Sequence, residues 1–159
     1  MEFRVGTGFD AHRFEAGRPL VLGGVTLPHD KGLLGHSDAD ALCHAVGDAV
    51  LGAAALGDLG KFFPDSDPKW KGADSLKLLA ECARLAGEKG WRVVNVDATL
   101  VCQRPKLSAY LPEMAKRLAE ALGLGPDAVS VKAKTTEGMG FEGREEGLSA
   151  QAVVLLTRK

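Results

Sequence analysis

The chain has 159 residues, of which 45% are hydrophobic, so we expect a single domain over residues 1–159 with a buried core. Twenty basic and 21 acidic residues give a net charge of -1, which argues against nucleic-acid binding through bulk charge, and no apolar run is long enough to span a membrane. Three cysteines without a C-x-x-C pair favour reduced thiols and a cytoplasmic location.

Hydrophobic periodicity and turn signals divide the chain into strands, helices and loops. Strand-like sequence begins close to Met1, so we expect no targeting segment. In chain order, we predict a strand at 4–10, a hairpin at 19–28, a loop at 31–35, a helix from 37 to about 56, a polar loop at 57–72, a helix from 74 or 75 onward, a strand at 92–102, a loop at 103–108, a helix at about 109–122, and strands at 129–134 and 147–157.

The helix ends carry recognisable signals. Ser37, with Asp40 three residues later, is a capping-box arrangement, so Ser37 is the predicted N-cap. Gly57 is the predicted stop of the same helix. Asp74 or Ser75 can cap the next one.

The order of these elements predicts an α+β fold, a two-layer sandwich with helices on one face of a mostly four-stranded mixed sheet, plus a small hairpin. A single helical layer would leave the other sheet face bare. The partly continuous apolar run at 153–156 in the last strand supports this interpretation. We therefore expect an oligomer that covers this face.

A metal site is one interpretation of Asp10, His12 and His44. Asp10 and His12 share a face of an extended chain, and one carboxylate with two imidazoles suits zinc or another divalent transition metal. A fourth position would stay open, as at catalytic sites. The alternative is a surface acid and two scattered histidines. Likewise Asp38, Asp40 and Asp48 either orient His44 or are ordinary surface acids of a helix.

Two further stretches could bind phosphate. His36 and Ser37 precede a helix N-terminus, where free N–H groups favour anions. Residues 131–141 end a strand in lysines, threonines and Glu137, which suit a diphosphate with Mg²⁺, although a strand followed by a glycine turn would look the same. Residues 104–106 form a basic turn or a plain loop, and His29 is interpreted as a solvated turn residue.

Together these segments resemble the 2-C-methyl-D-erythritol 2,4-cyclodiphosphate synthase family over nearly the whole chain. No single motif is specific, but their order and spacing are. The matching motifs are G-F-D-A-H at 8–12, H-S-D-A-D-A-L-C-H at 36–44, G-D-L-G-K-F-F-P-D at 57–65, P-K at 105–106 and T-T-E-G-M-G-F at 135–141.

The resemblance implies a metal-dependent lyase of non-mevalonate isoprenoid biosynthesis. It would convert 4-diphosphocytidyl-2-C-methyl-D-erythritol 2-phosphate into the cyclodiphosphate and CMP. Asp10, His12 and His44 match zinc ligands, Glu137 matches a ligand of Mg²⁺ or Mn²⁺, and His36 and Thr135 match transition-state stabilisers. The implied substrate-binding set is Asp10, His12, His36, Ser37, Asp58, Leu59, Gly60, Phe63, Pro64, Asp65, Ser66, Asp67, Cys102, Gln103, Arg104, Pro105, Lys106, Leu107, Ser108, Lys134, Thr135, Thr136, Glu137, Phe141 and Arg144.

Members of this family are homotrimers that pack through their sheets, with sites shared between subunits, and the same arrangement is expected here. Phe141 and Arg144 match positions near the threefold axis, where some members bind an isoprenoid diphosphate. Lys134 and Glu145 differ from the commoner threonine and glycine of the family.

Two other functions remain open from the sequence. A zinc phosphoesterase would use metal-bound water on a similar nucleotide and release linear products. A trimeric effector-binding module would hold a metal for structure alone and would release no CMP.

Overall fold

The computed structural model describes residues 1–158, and its largest element is a five-stranded mixed sheet with helices packed on one face. The strands are β1 (Glu2–Ala16), β2 (Leu20–Leu22), β3 (Val25–Leu27), β4 (Lys31–Leu33), β5 (Arg92–Val101), β6 (Val129–Lys134) and β7 (Gly147–Arg158). The helices are α1 (Ala41–Ala53), α2 (Leu59–Phe62), α3 (Ser75–Glu88), α4 (Leu111–Leu122) and α5 (Gly140–Gly143). The predicted α+β class is confirmed.

The sheet order is β4-β1-β7-β5-β6, and β2 and β3 form a separate hairpin as predicted. Only β5 and β6 run parallel, and the other neighbours are antiparallel. The sheet therefore has one strand more than the four expected. The addition is β4, a three-residue edge strand in the predicted loop at 31–35, which pairs with the end of β1.

Alternation along β1 separates the two faces of the sheet. Phe3, Val5 and Phe9 point away from the helices and are between 55% and 66% exposed. Val153 of the neighbouring β7 is exposed as well. The helix-facing residues of β7, by contrast, are fully buried. The bare face that the sequence predicts is thus present, and it is apolar where β1 and Val153 form it, whereas Asp97 and Lys132 make its β5–β6 part charged.

Helix α1 lies unusually close to β1, because glycines and alanines line their contact. A Cβ added at Gly6 would lie 2.0 Å from the carbonyl oxygen of Ala49, and one at Gly8 would lie 1.8 Å from that of Ala45. Only a residue without a side chain permits this approach. The next helix-facing residues of β1 after Gly8 are Asp10 and His12, so the close contact brings both within reach of α1.

The start of α1 differs from the prediction. Its N-cap is Asp40, whose carboxylate accepts from the Cys43 amide at 3.0 Å, and Ser37 lies outside the helix. Asp40 is fully buried and also accepts from the Gly23 and Gly24 amides of the hairpin turn. Burial raises the pKa of its carboxyl, although these amide hydrogen bonds oppose the effect. The carboxylate joins the hairpin to the helix, a role that a hydroxyl with fewer acceptor sites would not fill.

The end of α1 also differs. The helix ends at Ala53, and Ala55 takes the left-handed conformation at φ +57°, whereas the sequence pointed to Gly57. The segment 57–72, predicted as a loop, contains α2 and a short 3₁₀ turn at Pro68–Trp70. The cap of α3 is Asp74, one of the two predicted candidates. Among residues 1–158, no helix combines the length and hydropathy needed to cross a bilayer.

Candidate active site

Asp10, His12 and His44 meet at one point between β1 and α1. Asp10 Oδ2 lies 2.8 Å from His12 Nε2 and 3.0 Å from His44 Nδ1. The two ring nitrogens are 3.4 Å apart. Three potential ligand atoms, two from β1 and one from α1, thus form a compact triangle, as the metal interpretation requires.

The dimensions of this triangle fit a divalent transition metal. Ligands of a tetrahedral ion with bonds of about 2.0–2.1 Å are separated by about 3.3 Å. The observed separations are close to this value and need only a small expansion. Two imidazole nitrogens and one carboxylate oxygen are a donor set that zinc accepts, and three protein ligands leave a position for another molecule.

The electrostatics of the triangle keep Asp10 ionised. Burial raises the pKa of the Asp10 carboxyl, but hydrogen bonds and charge from His12 and His44 outweigh this and lower it to about 2. For His12, burial lowers the pKa, while the hydrogen bond to Asp10 and its charge raise it above the ordinary value. His12 is also oriented from behind, because its Nδ1 donates to the Leu34 carbonyl at 2.8 Å and leaves Nε2 facing the centre.

The three acids considered as partners of His44 have different positions. Asp40 is the buried cap described above: its backbone carbonyl accepts from the His44 amide at 3.0 Å, and its carboxylate binds the amides already named and not the His44 ring. The Asp48 carboxylate accepts from the Leu59 amide at 2.8 Å, and burial raises the pKa of this carboxyl. Asp38 accepts from the amide of Ser75, whose hydroxyl in turn reaches the His44 ring.

A cavity of about 350 Å³ opens beside the triangle. It is lined by nine residues of the predicted set: Asp10, His12, His36, Ser37, Asp58, Leu59, Gly60, Phe63 and Asp65, together with His44. His36 is held on its rim by a 3.1 Å contact between Nε2 and the Asp67 carbonyl.

Sequence reasoning missed three residues that line this cavity, Gly35, Trp70 and Leu78. Trp70 packs edge-on against Phe63, with ring centroids 4.9 Å apart. A tryptophan in a predicted surface loop was the available signal for its position. Leu78 carries no such signal, because it resembles any other core residue of a helix.

A second cavity of about 730 Å³ lies at the ends of β5 and β6. It brings together the predicted residues Cys102, Gln103, Arg104, Pro105, Lys106, Leu107, Ser108, Lys134 and Thr135. His29 also lines it and packs against Phe14, with ring centroids 5.7 Å apart. Its side chain is only 20% exposed, so the interpretation of His29 as a solvated turn residue is wrong.

The two cavities have no lining residue in common. His36 lines the first and Thr135 the second, so one chain does not place these two predicted stabilisers in the same cavity. The remaining predicted residues, which line neither cavity, are Pro64, Ser66, Asp67, Thr136, Glu137, Phe141 and Arg144.

Comparison with known proteins agrees with this geometry. Residues 3–157 match the model of the YgbB family. The chain is 57% identical over 158 residues to the 2-C-methyl-D-erythritol 2,4-cyclodiphosphate synthase of Dechloromonas aromatica (strain RCB), with 99% of each chain covered.

The chain belongs to the YgbB family.

Relatives at this level of identity are named as cyclodiphosphate synthases, so the chain is an enzyme, a lyase of isoprenoid biosynthesis. Its Asp10–His12–His44 cluster fits the metal dependence of that activity. Solved structures agree. A CDP-bound form of 2C-methyl-D-erythritol-2,4-cyclodiphosphate synthase superposes with a TM-score of 0.88 at 40% identity, covering 97% of this chain and all of that one. The bifunctional IspDF from Campylobacter jejuni gives 0.96 at 42% identity, covering 99% of this chain and 43% of that one.

Proposed function

We propose that the chain, acting as one catalytic domain over residues 1–159, closes 4-diphosphocytidyl-2-C-methyl-D-erythritol 2-phosphate into 2-C-methyl-D-erythritol 2,4-cyclodiphosphate. The 2-phosphate oxygen forms a bond to the β-phosphorus, and the bond from that phosphorus to the oxygen of CMP breaks. The observation that carries this proposal is the Asp10–His12–His44 triangle at the edge of the first cavity. Attacker and leaving group lie on one substrate, so positioning and charge neutralisation are the main requirements.

Asp10, His12 and His44 would hold a zinc ion, or another divalent transition metal. When bound, such an ion supplies Lewis-acid polarisation of a phosphate oxygen. The side chains themselves contribute the fixed donor geometry and one negative charge. No general base is required, since the attacking phosphate is already anionic, and this agrees with the absence of a nucleophilic serine or cysteine motif.

The residues of the first cavity would bind the methylerythritol phosphate, and those of the second cavity the cytidine. A CDP-bound relative supports a nucleotide in this fold. Lys134 lies in the second cavity, where its charge suits the diphosphate. Glu137 is exposed at the turn after β6, in a left-handed conformation at φ +54°. It would hold Mg²⁺ or Mn²⁺ on the same diphosphate.

We propose a homotrimer whose active sites form between subunits. Two facts support it: the apolar sheet face of Phe3, Val5 and Phe9 is exposed in the single chain, and His36 and Thr135 line different cavities. A neighbouring subunit could bring the second cavity of one chain to the first cavity of another. Sedimentation of the wild type and of Phe9→Arg tests this, with a trimer and a dissociated form expected.

The exposed Phe141 and Arg144 remain candidates for an isoprenoid diphosphate at the trimer axis. Arg144 contacts Glu146 at 3.0 Å, and Glu145 lies 3.6 Å from Arg104, so an anionic ligand there would compete with Glu146. The cysteines at 43, 82 and 102 are free and buried, which fits the reducing cytoplasm.

Incubation of the substrate with the enzyme, Zn²⁺ and Mg²⁺ in ¹⁸O-labelled water tests the reaction. A cyclic diphosphate without the label, together with CMP, is the expected result. Linear products that carry the label would instead identify a phosphoesterase. A wild type that releases no CMP would favour the binding module.

A further inference from the structure

The His44 ring has polar contacts on both of its nitrogens. Nδ1 faces Asp10 and His12, while Nε2 lies 2.8 Å from Ser75 Oγ and 3.2 Å from Ser37 Oγ. A neutral imidazole carries one proton, on either nitrogen. The position of that proton decides whether Nδ1 offers a lone pair to the centre or blocks it.

The surroundings of Ser75 favour a proton on Nε2. Asp38 accepts hydrogen bonds from the Ser75 amide at 3.0 Å and from the Asp40 amide at 3.1 Å, and its Oδ1 also contacts the Ser75 hydroxyl. An ionised carboxylate can only accept, so the hydroxyl proton of Ser75 must point at Asp38. Ser75 Oγ then has only lone pairs left, so it can accept a hydrogen bond from Nε2 of His44. The Asp10 carboxylate, 3.0 Å from Nδ1, also only accepts and competes for the same proton until a metal ion takes the Nδ1 lone pair.

We propose that Ser75 is a positioning residue. Its hydroxyl donates to Asp38 and accepts from Nε2 of His44, and this arrangement keeps the Nδ1 lone pair directed at the metal centre. The inference rests on the proposed metal centre and extends it to the N-terminus of α3. Ser75 is 1% exposed, so bulk water cannot easily take over the contact. Ser37 is the weaker partner, since it is 0.4 Å farther from the ring by the two distances above.

The fold should not depend on this hydroxyl. Asp74 caps α3 and accepts from the Leu76 amide at 3.0 Å, and the Ser75 amide keeps its bond to Asp38 in Ser75→Ala. Alanine is a good helix former. Ser149→Ala is a matched control, because Ser149 is also 1% exposed and its hydroxyl binds one carboxylate, that of Glu142 at 2.8 Å.

The first test needs no metal. In the metal-free protein with ¹⁵N-labelled histidine, at about pH 8.5 where a free imidazole is neutral, Ser75 and Asp10 compete for the His44 proton, so the wild type should contain the form protonated on Nε2. Ser75→Ala should shift the two resonances toward the form protonated on Nδ1, and Ser149→Ala should not. A proton on Nδ1 alone in the wild type, or an unchanged spectrum in Ser75→Ala, would overturn the proposal.

The second test measures Zn²⁺ affinity by competition with a chelator. Ser75→Ala should bind about 10–100-fold more weakly than the wild type, as is usual when a partner behind a ligating histidine is lost. Ser149→Ala should stay within about twofold, and Ser75→Thr, which keeps the hydroxyl, should recover most of the affinity. Equal affinity in Ser75→Ala and wild type would refute the role of Ser75. A wild type that binds no Zn²⁺ would instead refute the metal centre, and the ¹⁵N spectra would still decide the tautomer.

Discussion

The contact between β1 and α1 predicts that Gly8→Ala will damage the metal centre without touching any ligand. The added Cβ would lie 1.8 Å from the Ala45 carbonyl oxygen, 2.8 Å from its carbon and 2.9 Å from the Ala49 amide nitrogen. All three are backbone atoms of α1, so no side-chain rotation can relieve the overlap. The strand and the helix must separate.

The size of the separation follows from the same distances. Ordinary contact begins at 3.4 Å, so the 1.8 Å approach must widen by about 1.6 Å. Because His44 precedes Ala45 in the same turn, its Nδ1 would move away from Asp10 Oδ2 by up to this amount, from 3.0 Å to at most about 4.6 Å. Ligands of one zinc ion lie only about 3.3 Å apart. Overpacking of this kind also costs about 1–3 kcal/mol of stability, or more.

Two measurements on purified Gly8→Ala check this: Zn²⁺ affinity by chelator competition, and the free energy of unfolding in urea. Both should fall clearly. Gly87→Ala is the control, since Gly87 lies in α3 with nothing within 4 Å of an added Cβ. It should keep full affinity and gain about 0.4–1 kcal/mol. Wild-type Zn²⁺ affinity in Gly8→Ala would show that the close approach of α1 does not assemble the site.

Four further outcomes are expected. Asp10→Asn removes the charged ligand and should reduce the rate of CMP release by more than the roughly 100-fold loss that is typical when a residue behind a metal ligand is replaced. The circular dichroism spectrum should be retained. Unfolding of this variant would indicate a structural metal instead. Glu137→Gln should raise the Mg²⁺ concentration needed for half-maximal rate about tenfold. The control Glu113→Gln, on the surface of α4, should leave it unchanged. Equal Mg²⁺ titrations of Glu137→Gln and the wild type would show that Glu137 does not hold the ion. Zn²⁺ affinity should fall as the pH drops through the raised pKa of His12, because the proton competes for Nε2. The stability of the metal-free chain should depend on pH in the opposite direction. The stabilisation from protonated His12 is complete below pH 6.5 and is lost as the pH rises through the raised pKa. Thermal unfolding in the presence of a chelator would show this loss. A pH-independent affinity would contradict the ligand role of His12.

Much of the fold could be predicted, because local patterns specify it. The two-residue alternation in β5 and β7, the Gly23-Gly24 turn and the Asp74 cap all act within a few residues. The prediction failed where tertiary contacts compete with local signals. Asp40 replaces Ser37 as the cap because its carboxylate also binds the hairpin amides, and β4 exists only because the far end of β1 lies beside it.

The sequence by itself determined which side chains could serve as ligands. It also placed Asp10 and His12 on one face of a strand, because side chains alternate along an extended backbone. Only the tertiary structure decided that His44 reaches them, because this depends on two glycines that let α1 approach β1 at backbone distance. It also decided which nitrogen of His44 faces the centre, through Ser75 and Asp38. These contacts join residues more than 30 positions apart, and no local pattern of side chains encodes their distance.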